Sequence, residues 1–355
     1  MRNWLQAALI CLTLVGAGCR SPQPPPTKSP AFFPPDRANA RLQYLTEFAS
    51  PTHFEKPPSR LLSFLVGDLP EKQPIIKPYG LALHDNQLLI CDTMLGVVHQ
   101  LDLTESTWTY LQPEGADGLK KPINIDVDAN GRRYVADTGR GQVMIYQPDG
   151  TLVTTLGEAG KLKPTDVKIA HGRIYVTDLK QRAVHVFRLT DHQRLFSLPL
   201  QRDPKEKSLF APTNLAISTN GDIYVSDSNA FRVQHLDKDG HYVRSIGMHG
   251  NAPGRFARNK GLAIDRENRL YVVDAAFQNV QIFNSEGKLL LHFGDYSEPG
   301  EGAMSLPAGI IVDYDHLDYF RTFIAPGLEL EYVVLVANQY GPHKVTAYGF
   351  IRKKA

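Results

Sequence analysis

The sequence predicts an all-β protein: a six-bladed β-propeller of four-stranded blades, the last blade closed by a strand from the N-terminal end. Three observations carry this expectation. A strand–turn–strand motif returns six times, each copy runs on into a third strand with its own apolar column, and one strand-like segment stands unpaired ahead of the first copy. The copies are "KPYGLALHDNQLLICD", "KPINIDVDANGRRYVAD", "KPTDVKIAHGRIYVTD", "APTNLAISTNGDIYVSD", "NKGLAIDRENRLYVVD" and, stretched, "LPAGIIVDYDHLDYFRTFIAPGLELEYVVLVAN". They close at Asp92, Asp137, Asp178, Asp227, Asp274 and Asn338, so the spacings are 45, 41, 49, 47 and 64 residues, the period of propeller blades.

In chain order, Met1 and Arg2 precede an uncharged apolar run that exits through Gly16, Ala17 and Gly18 into Cys19. A charged start, apolar middle and small-residue exit mark a signal peptide over 1–18, and the run falls short of the about 20 residues of a comfortable transmembrane helix. The segment resembles the lipobox of bacterial lipoproteins, which implies acylation of Cys19. Gly16 departs from the usual leucine. Arg20 rather than Asp after that cysteine implies outer-membrane sorting. Residues 19–40, with "SPQPPPTKSPAFFPPD", read as a proline-rich tether. Acyl chains contribute about 0.8 kcal/mol per buried CH₂, so the body needs no membrane-binding surface of its own.

The propeller is expected over 41–355. "RLQYLTEF" at 41–48 is the unpaired strand. Third strands repeat Val98/Leu101, Val143/Tyr146, Val184/Phe187, Val233/Leu236, Val280/Phe283 and Val345/Tyr348, two columns that belong in a core. Fourth strands follow tight turns in "PDGTLVTTLG", "KDGHYVRSIG" and "SEGKLLLHFG", where glycine takes the positive-φ corner. The sixth copy ends at "KVTAYGFIRKKA" without a fourth strand. Pairing it with "RLQYLTEF" removes an exposed sheet edge. An aromatic and acidic insertion, "DYDHLDYFRTFIAPGLELE", lies between its first two strands, on the face opposite the channel mouth; a loop of this length usually has a role of its own.

These copies, with the linker "GMHGNAPGRFARNKGLAID", resemble the NHL-repeat family of six-bladed propellers. The proline-rich start, "DAAFQNVQIF" and "NQYGPHKVTAYGF" resemble bacterial NHL-repeat lipoproteins more narrowly. Proteins of that kind accompany multihaem cytochromes, which implies a structural subunit there as one role. The family's peptide-amidating lyases hold zinc on histidines directly after the turn proline; the matching positions here are Tyr79, Ile123, Thr165, Thr213, Lys260 and Ala308, so no such site can form. Gluconolactonase-like propellers need an early-blade acid where this chain has Gly80.

Composition bounds the function. The formal charge is +2, or +1 without the signal's single cation, Arg2, which argues against nucleic acid as a partner. Of three cysteines, Cys11 leaves with the signal and Cys19 carries lipid, so Cys91 has no disulfide partner. No C-x-x-C-H motif exists to attach haem.

The acids that close the second strands recur in every blade, so they are expected to cap turns rather than perform chemistry. The third residue of each turn is more selective: Gly80, Asn124, Asp166, Asn214, Gly261, Gly309. Asn124, Asp166 and Asn214 would line one arc of the channel mouth, where oxygen ligands suit Ca²⁺ or a polar ligand group. A metal-assisted lyase or hydrolase centred on Asp166 is the enzymatic alternative; no residue is assigned as catalytic and no cofactor is required. The column of His99, Met144, His185, Gln234, Gln281 and Thr346 mixes residue types and is expected on an exposed strand face. No Ser-His-Asp arrangement is readable from residue order. The turns between second and third strands carry Arg140, Arg182, Arg232, Phe231, Phe277 and Tyr340, with Lys180, Lys344 and Leu95 beside them. Bases and aromatics on one rigid face are the composition of a protein- or peptide-binding surface.

Overall fold

A computed structural model describes residues 30–55, 72–200, 208–294 and 300–354. The signal segment and Cys19 lie outside the described residues. Strands β1 (Phe32–Phe33) and β2 (Leu42–Phe48) come first in the chain and pair at its far end. Blade one holds β3 (Pro78–His84), β4 (Gln87–Asp92), β5 (Val97–Asp102) and β6 (Thr107–Leu111). Blade two holds β7 (Pro122–Val127), β8 (Arg133–Asp137), β9 (Gln142–Tyr146) and β10 (Leu152–Leu156). Blade three holds β11 (Pro164–Ala170), β12 (Arg173–Asp178), β13 (Ala183–Arg188) and β14 (Arg194–Leu198). Blade four holds β15 (Pro212–Ile217), β16 (Ile223–Asp227), β17 (Arg232–Leu236) and β18 (Tyr242–Ile246). Blade five holds β19 (Asn259–Ile264), β20 (Leu270–Asp274), β21 (Asn279–Phe283) and β22 (Leu289–Phe293).

The last blade joins β23 (Pro307–Asp313), β24 (Leu328–Asn338) and β25 (Val345–Lys353) to β2 and then β1. β2 runs antiparallel to β25, from Leu42 opposite Phe350 to Phe48 opposite Val345, so the N-terminal strand closes the ring as the unpaired segment implied. A fifth strand is added: Phe32 and Phe33 pair with Gln43 and Leu42. Residues 30–40, expected in the tether, therefore begin the folded body. The cause is apolar, since the Phe33 ring packs on Phe293 and Tyr348 with centroids 6.2 and 5.9 Å away.

Six apolar clusters fill the six seams between neighbouring blades, and both third-strand columns are buried in them. The hairpin glycines Gly150, Gly240 and Gly287 have φ of 89°, 88° and 81°, the corner their sequence implied. The sixth-blade insertion forms a helical turn, Asp318–Arg321, that seats Phe320 fully out of solvent. Phe48 stacks on Tyr319 at 5.8 Å and meets Phe320 edge-on at 6.4 Å, while Phe54 packs on Trp108 at 6.0 Å. This aromatic group clamps blade six to blade one at the point where the ring closes. Burying Phe320 alone contributes on the order of 2 kcal/mol.

Strand direction sets the two faces. Each innermost strand starts at the channel mouth, so the turns between second and third strands and the linkers between blades share that face. In blades two to five the outermost strand carries a β-bulge, at Val153, Leu195, Val243 and Leu290, and these residues point outward.

Candidate functional site at the channel mouth

The closing acids behave as turn caps. Asp137, fully buried, accepts from the backbone N–H groups of Lys120, Lys121, Gly139 and Arg140 at 2.7, 3.0, 2.8 and 2.9 Å. Asp274 does the same for Ala257, Arg258, Ala276 and Phe277. Asn338 accepts from Ser305 N–H and donates to the His343 carbonyl, so an amide serves blade six. In each case one carboxylate or amide binds the linker entering the blade to the turn leaving its second strand.

The mixed column is a correction. His99, Met144, His185, Gln234, Gln281 and Thr346 are all buried, not exposed. Five of the six meet the linker backbone or the closing acid or amide of their blade: His99 and His185 lie against Asp92 and Asp178, Gln234 and Gln281 donate to the linker carbonyls of Ser208 and Arg255, and Thr346 meets Asn338. Gln281 donates to the Arg255 carbonyl and accepts from Gly254 N–H. His99 lies 3.5 Å from Asp92 and accepts from the Trp108 indole at 3.1 Å.

Asn124, Asp166 and Asn214 do come together on three consecutive innermost strands, and all three are buried, with Asp166 2% exposed. The Asp166 carboxylate accepts from Val167 N–H at 2.8 Å on one oxygen. Its other oxygen takes Leu215 N–H at 2.9 Å and the Asn214 amide at 3.5 Å. Asn124 donates to the Thr165 carbonyl at 3.4 Å. Burial, opposed by Lys168 and these amides, pushes the Asp166 carboxyl up to about 6.

The three glycines of the same column explain its asymmetry. A Cβ on Gly80 would sit 2.2 Å from Asn124 Oδ1, one on Gly261 2.3 Å from the Ala308 carbonyl oxygen, and one on Gly309 2.0 Å from the Tyr79 carbonyl oxygen. At this depth the ring has room for three polar side chains, and glycine lets the backbone of the neighbouring strand approach at the other three positions.

Above them stands Tyr79. Its hydroxyl, from blade one, reaches across to Asn214 Oδ1 on blade four at 3.4 Å, and the Lys260 ammonium lies 5.8 Å from its ring centroid. Burial, then the Asp166 charge, holds the Tyr79 hydroxyl well above the usual phenol range. Burial and Arg258 bring Lys260 down to about 8. The mouth is thus capped by a phenol hydrogen-bonded across its diameter. Deeper, Asp126 and Lys168 line the channel, each with part of its surface accessible. Burial pushes Asp126 up against the opposing pull of Lys168; for Lys168, burial is outweighed by Asp126 and Asp166 and the ammonium is held above its ordinary range. Among the described residues no group of three His, Cys, Asp or Glu converges to hold a metal ion.

The turn residues divide. Tyr340 and Arg182 are exposed, whereas Phe231 and Phe277 are half-buried, with Phe231 packed on His249 at 4.4 Å. Arg140 donates to the carbonyls of Gly118 and Gly115, and Arg232 to that of Ser208, so both guanidinium groups are tied to linkers. Arg182, Phe231 and Gln278 occupy the turn position that is Gly96, Gly141 and Gly341 in the other blades, all with φ between 54° and 72°. Sequence reasoning met Tyr79 only as a position without a zinc-binding histidine, and passed over Met94, Phe210 and Met248 on this face. "KPYG" places an aromatic ring at the mouth, a signal present in the sequence; the exposure of the other three has no such mark.

Comparison with known proteins agrees with this architecture. Residues 198–292 match a family described as a 6-bladed β-propeller. No curated protein matches the chain. Among solved structures, a protein of unknown function from Bacteroides thetaiotaomicron is similar at 16% identity and a TM-score of 0.61, over 87% of this chain and 76% of that one. A gluconolactonase from Xanthomonas campestris is similar at 16% identity and 0.58, over 91% and 95%. Virginiamycin B lyase from Staphylococcus aureus is similar at 11% identity and 0.52, over 77% and 84%. At such identities the likeness is one of fold, and the chain is an all-β six-bladed propeller closed by its N-terminal strands.

Proposed function

We propose that this protein is an exported, lipid-anchored propeller that binds a protein or peptide of the bacterial cell envelope through its channel-mouth face, with Cys19 as the anchor and the proline-rich segment as its tether. The observation that carries the reading is the distribution of exposed apolar side chains. Among the described residues ten large apolar side chains stand exposed. Four are the bulge residues of the outer strands and one, Phe323, belongs to the sixth-blade insertion. Of the other five, Met94, Phe210, Met248 and Tyr340 rise from turns and linkers of the channel-mouth face, while Leu200 leans toward the Gly240 hairpin on the opposite side. Met94 and Tyr340 are 65% and 54% exposed, and Lys77 lies against the Tyr340 ring at 5.2 Å. Methionine, aromatic and basic side chains on a rigid frame suit a protein partner.

The test is affinity capture from detergent-solubilised envelope with the wild type and a Met94→Ser/Tyr340→Ser variant. Partners retained on the wild type and lost on the variant support the reading. A multihaem cytochrome among them would make the protein a subunit of such a system; an identical set on both proteins overturns the proposal.

A second reading is a lyase or hydrolase at the channel mouth. The elevated Asp166 carboxyl favours it; the Tyr79 cap and the donors already on both Asp166 oxygens oppose it. Activity lost on Asp166→Ala in a folded protein would favour the enzyme.

A further inference from the structure

We propose that blade three carries an acyl-transfer site on its flank, with Ser197 as nucleophile, His185 as base and Asp178 as the group that orients the base. The site is independent of the binding face. Asp178 Oδ2 lies 3.2 Å from His185 Nε2, and His185 Nδ1 lies 2.9 Å from Ser197 Oγ. This is the acid–imidazole–hydroxyl order of a serine hydrolase, assembled by strand pairing, since His185 on β13 stands opposite Ser197 on β14. Asp178 also accepts from the N–H groups of Lys163 and Lys180 at 2.9 and 2.8 Å. Burial would raise its carboxyl, but His185 and these amides outweigh burial and hold it below the usual range, so it remains a carboxylate that fixes the Nε2–H tautomer.

Arg194 completes the site. Its Nη2 lies 2.7 Å from His185 Nδ1 and 2.5 Å from Ser197 Oγ. The bulge at Leu195 places Arg194 on the same face as Ser197. His185 and Arg194 line a cleft of about 460 Å³ together with Leu162, Phe187, Lys161 and Gln181. Leu162 and Phe187 are buried and form an apolar wall, with Arg194 and Lys161 on its polar side.

The other blades lack this combination. Blade one keeps the acid and imidazole, but Tyr110 stands opposite His99 where blade three has Ser197, and the Trp108 indole, rather than a hydroxyl, meets His99 Nδ1. Blades two, four and five carry Met144, Gln234 and Gln281 in place of the imidazole, and Leu152, Tyr242 and Leu289 where blade three has Arg194. Blade three alone among them joins an imidazole, a hydroxyl and a guanidinium beside a cleft.

The substrate class is a short-chain carboxylic ester, its acyl chain against Leu162 and Phe187. Its carbonyl oxygen draws the Arg194 guanidinium off Nδ1 and, as negative charge grows on that oxygen, is stabilised by it. Ser197 Oγ bonds to the carbonyl carbon while its proton passes to His185 Nδ1. The carbon–oxygen bond to the alcohol then breaks, and the departing oxygen takes that proton. Water attacks the acyl-serine, giving one proton to His185; the Oγ–carbon bond breaks, Oγ regains the proton and the acid leaves.

The test is hydrolysis of p-nitrophenyl acetate by the purified protein, with fluorophosphonate labelling and peptide mapping. Two variants accompany the wild type: Ser197→Ala and His185→Gln, the latter installing the residue that blades four and five tolerate at this position. The site predicts a p-nitrophenolate burst, a fluorophosphonate adduct on Ser197, and a loss of roughly 100-fold or more in rate for both variants with unchanged melting. Full activity in Ser197→Ala, an adduct elsewhere, or no adduct on the folded wild type overturns the proposal.

Discussion

Replacing Asp137 with alanine should cost about 4 kcal/mol of stability, although Asp137 touches neither the channel nor the exposed face. Its carboxylate holds four backbone N–H groups at 2.7 to 3.0 Å, two from the linker entering blade two and two from the turn at Gly139 and Arg140. Hydrogen bonds to a charged group contribute roughly 1.5–3 kcal/mol each, so four give a gross of roughly 6–12 kcal/mol. The freed N–H groups lie in a linker and a turn at the surface, where water recovers about half. Asp137→Asn can keep its oxygen on the three donors that share Oδ1, Lys121, Gly139 and Arg140, but turns an N–H₂ toward the fourth, Lys120 N–H, and loses the charge, so it should cost about half as much as alanine or less. Urea unfolding at neutral pH, followed by tryptophan fluorescence and far-ultraviolet circular dichroism, measures both. A loss below about 1 kcal/mol for alanine, or equal losses for the two variants, would refute the assignment of this column as charged turn caps.

Other outcomes follow from the same geometry. Gly309→Ala drives a Cβ into the Tyr79 carbonyl and should destabilise by about 3 kcal/mol or more, read as a fall in the urea midpoint. Arg182→Gly should raise stability by about 0.5–1 kcal/mol, because Arg182 is exposed and its φ of 54° costs an L-residue about 1–2 kcal/mol, less what glycine loses in chain entropy. Asp166 has a folded-state carboxyl raised to about 6, so the native protein binds its proton more tightly than the unfolded chain does. Its contribution is therefore most favourable below about pH 4, falls between about pH 4 and 6, and is flat above, a change on the order of 3 kcal/mol. The buried acids Asp92 and Asp178, held low, have the opposite sign, so the measurement is the wild-type minus Asp166→Asn difference across this range. A difference that rises with pH would contradict the desolvated carboxyl.

The blades were legible because each is a local unit: four strands, two tight turns and one closing acid within about 40–50 residues. Closure by Leu42–Phe48 was legible too, since an unfinished blade and an unpaired strand are complementary liabilities. What escaped the sequence depends on contacts between blades. The column of His99 and His185 looked variable, hence exposed, because each linker offers different backbone groups for it to satisfy. Asn124, Asp166 and Asn214 were found as one arc, but the reason for the arc, backbone crowding at Gly80, Gly261 and Gly309, is a property of the closed ring. Tyr79 caps that arc through a partner 135 residues away, and Ser197 meets His185 only once β13 and β14 pair. Phe32 and Phe33 were masked by the prolines around them.

The central claim is that the channel-mouth face, rather than the capped channel beneath it, engages a partner. The most direct measurement is quantitative capture from solubilised envelope by three proteins of equal thermal stability: wild type, Met94→Ser/Tyr340→Ser, and Asp166→Asn. The account predicts that the surface variant loses its specific partners while Asp166→Asn keeps them. Retention by the surface variant, with loss in Asp166→Asn, would contradict it and move the function into the channel.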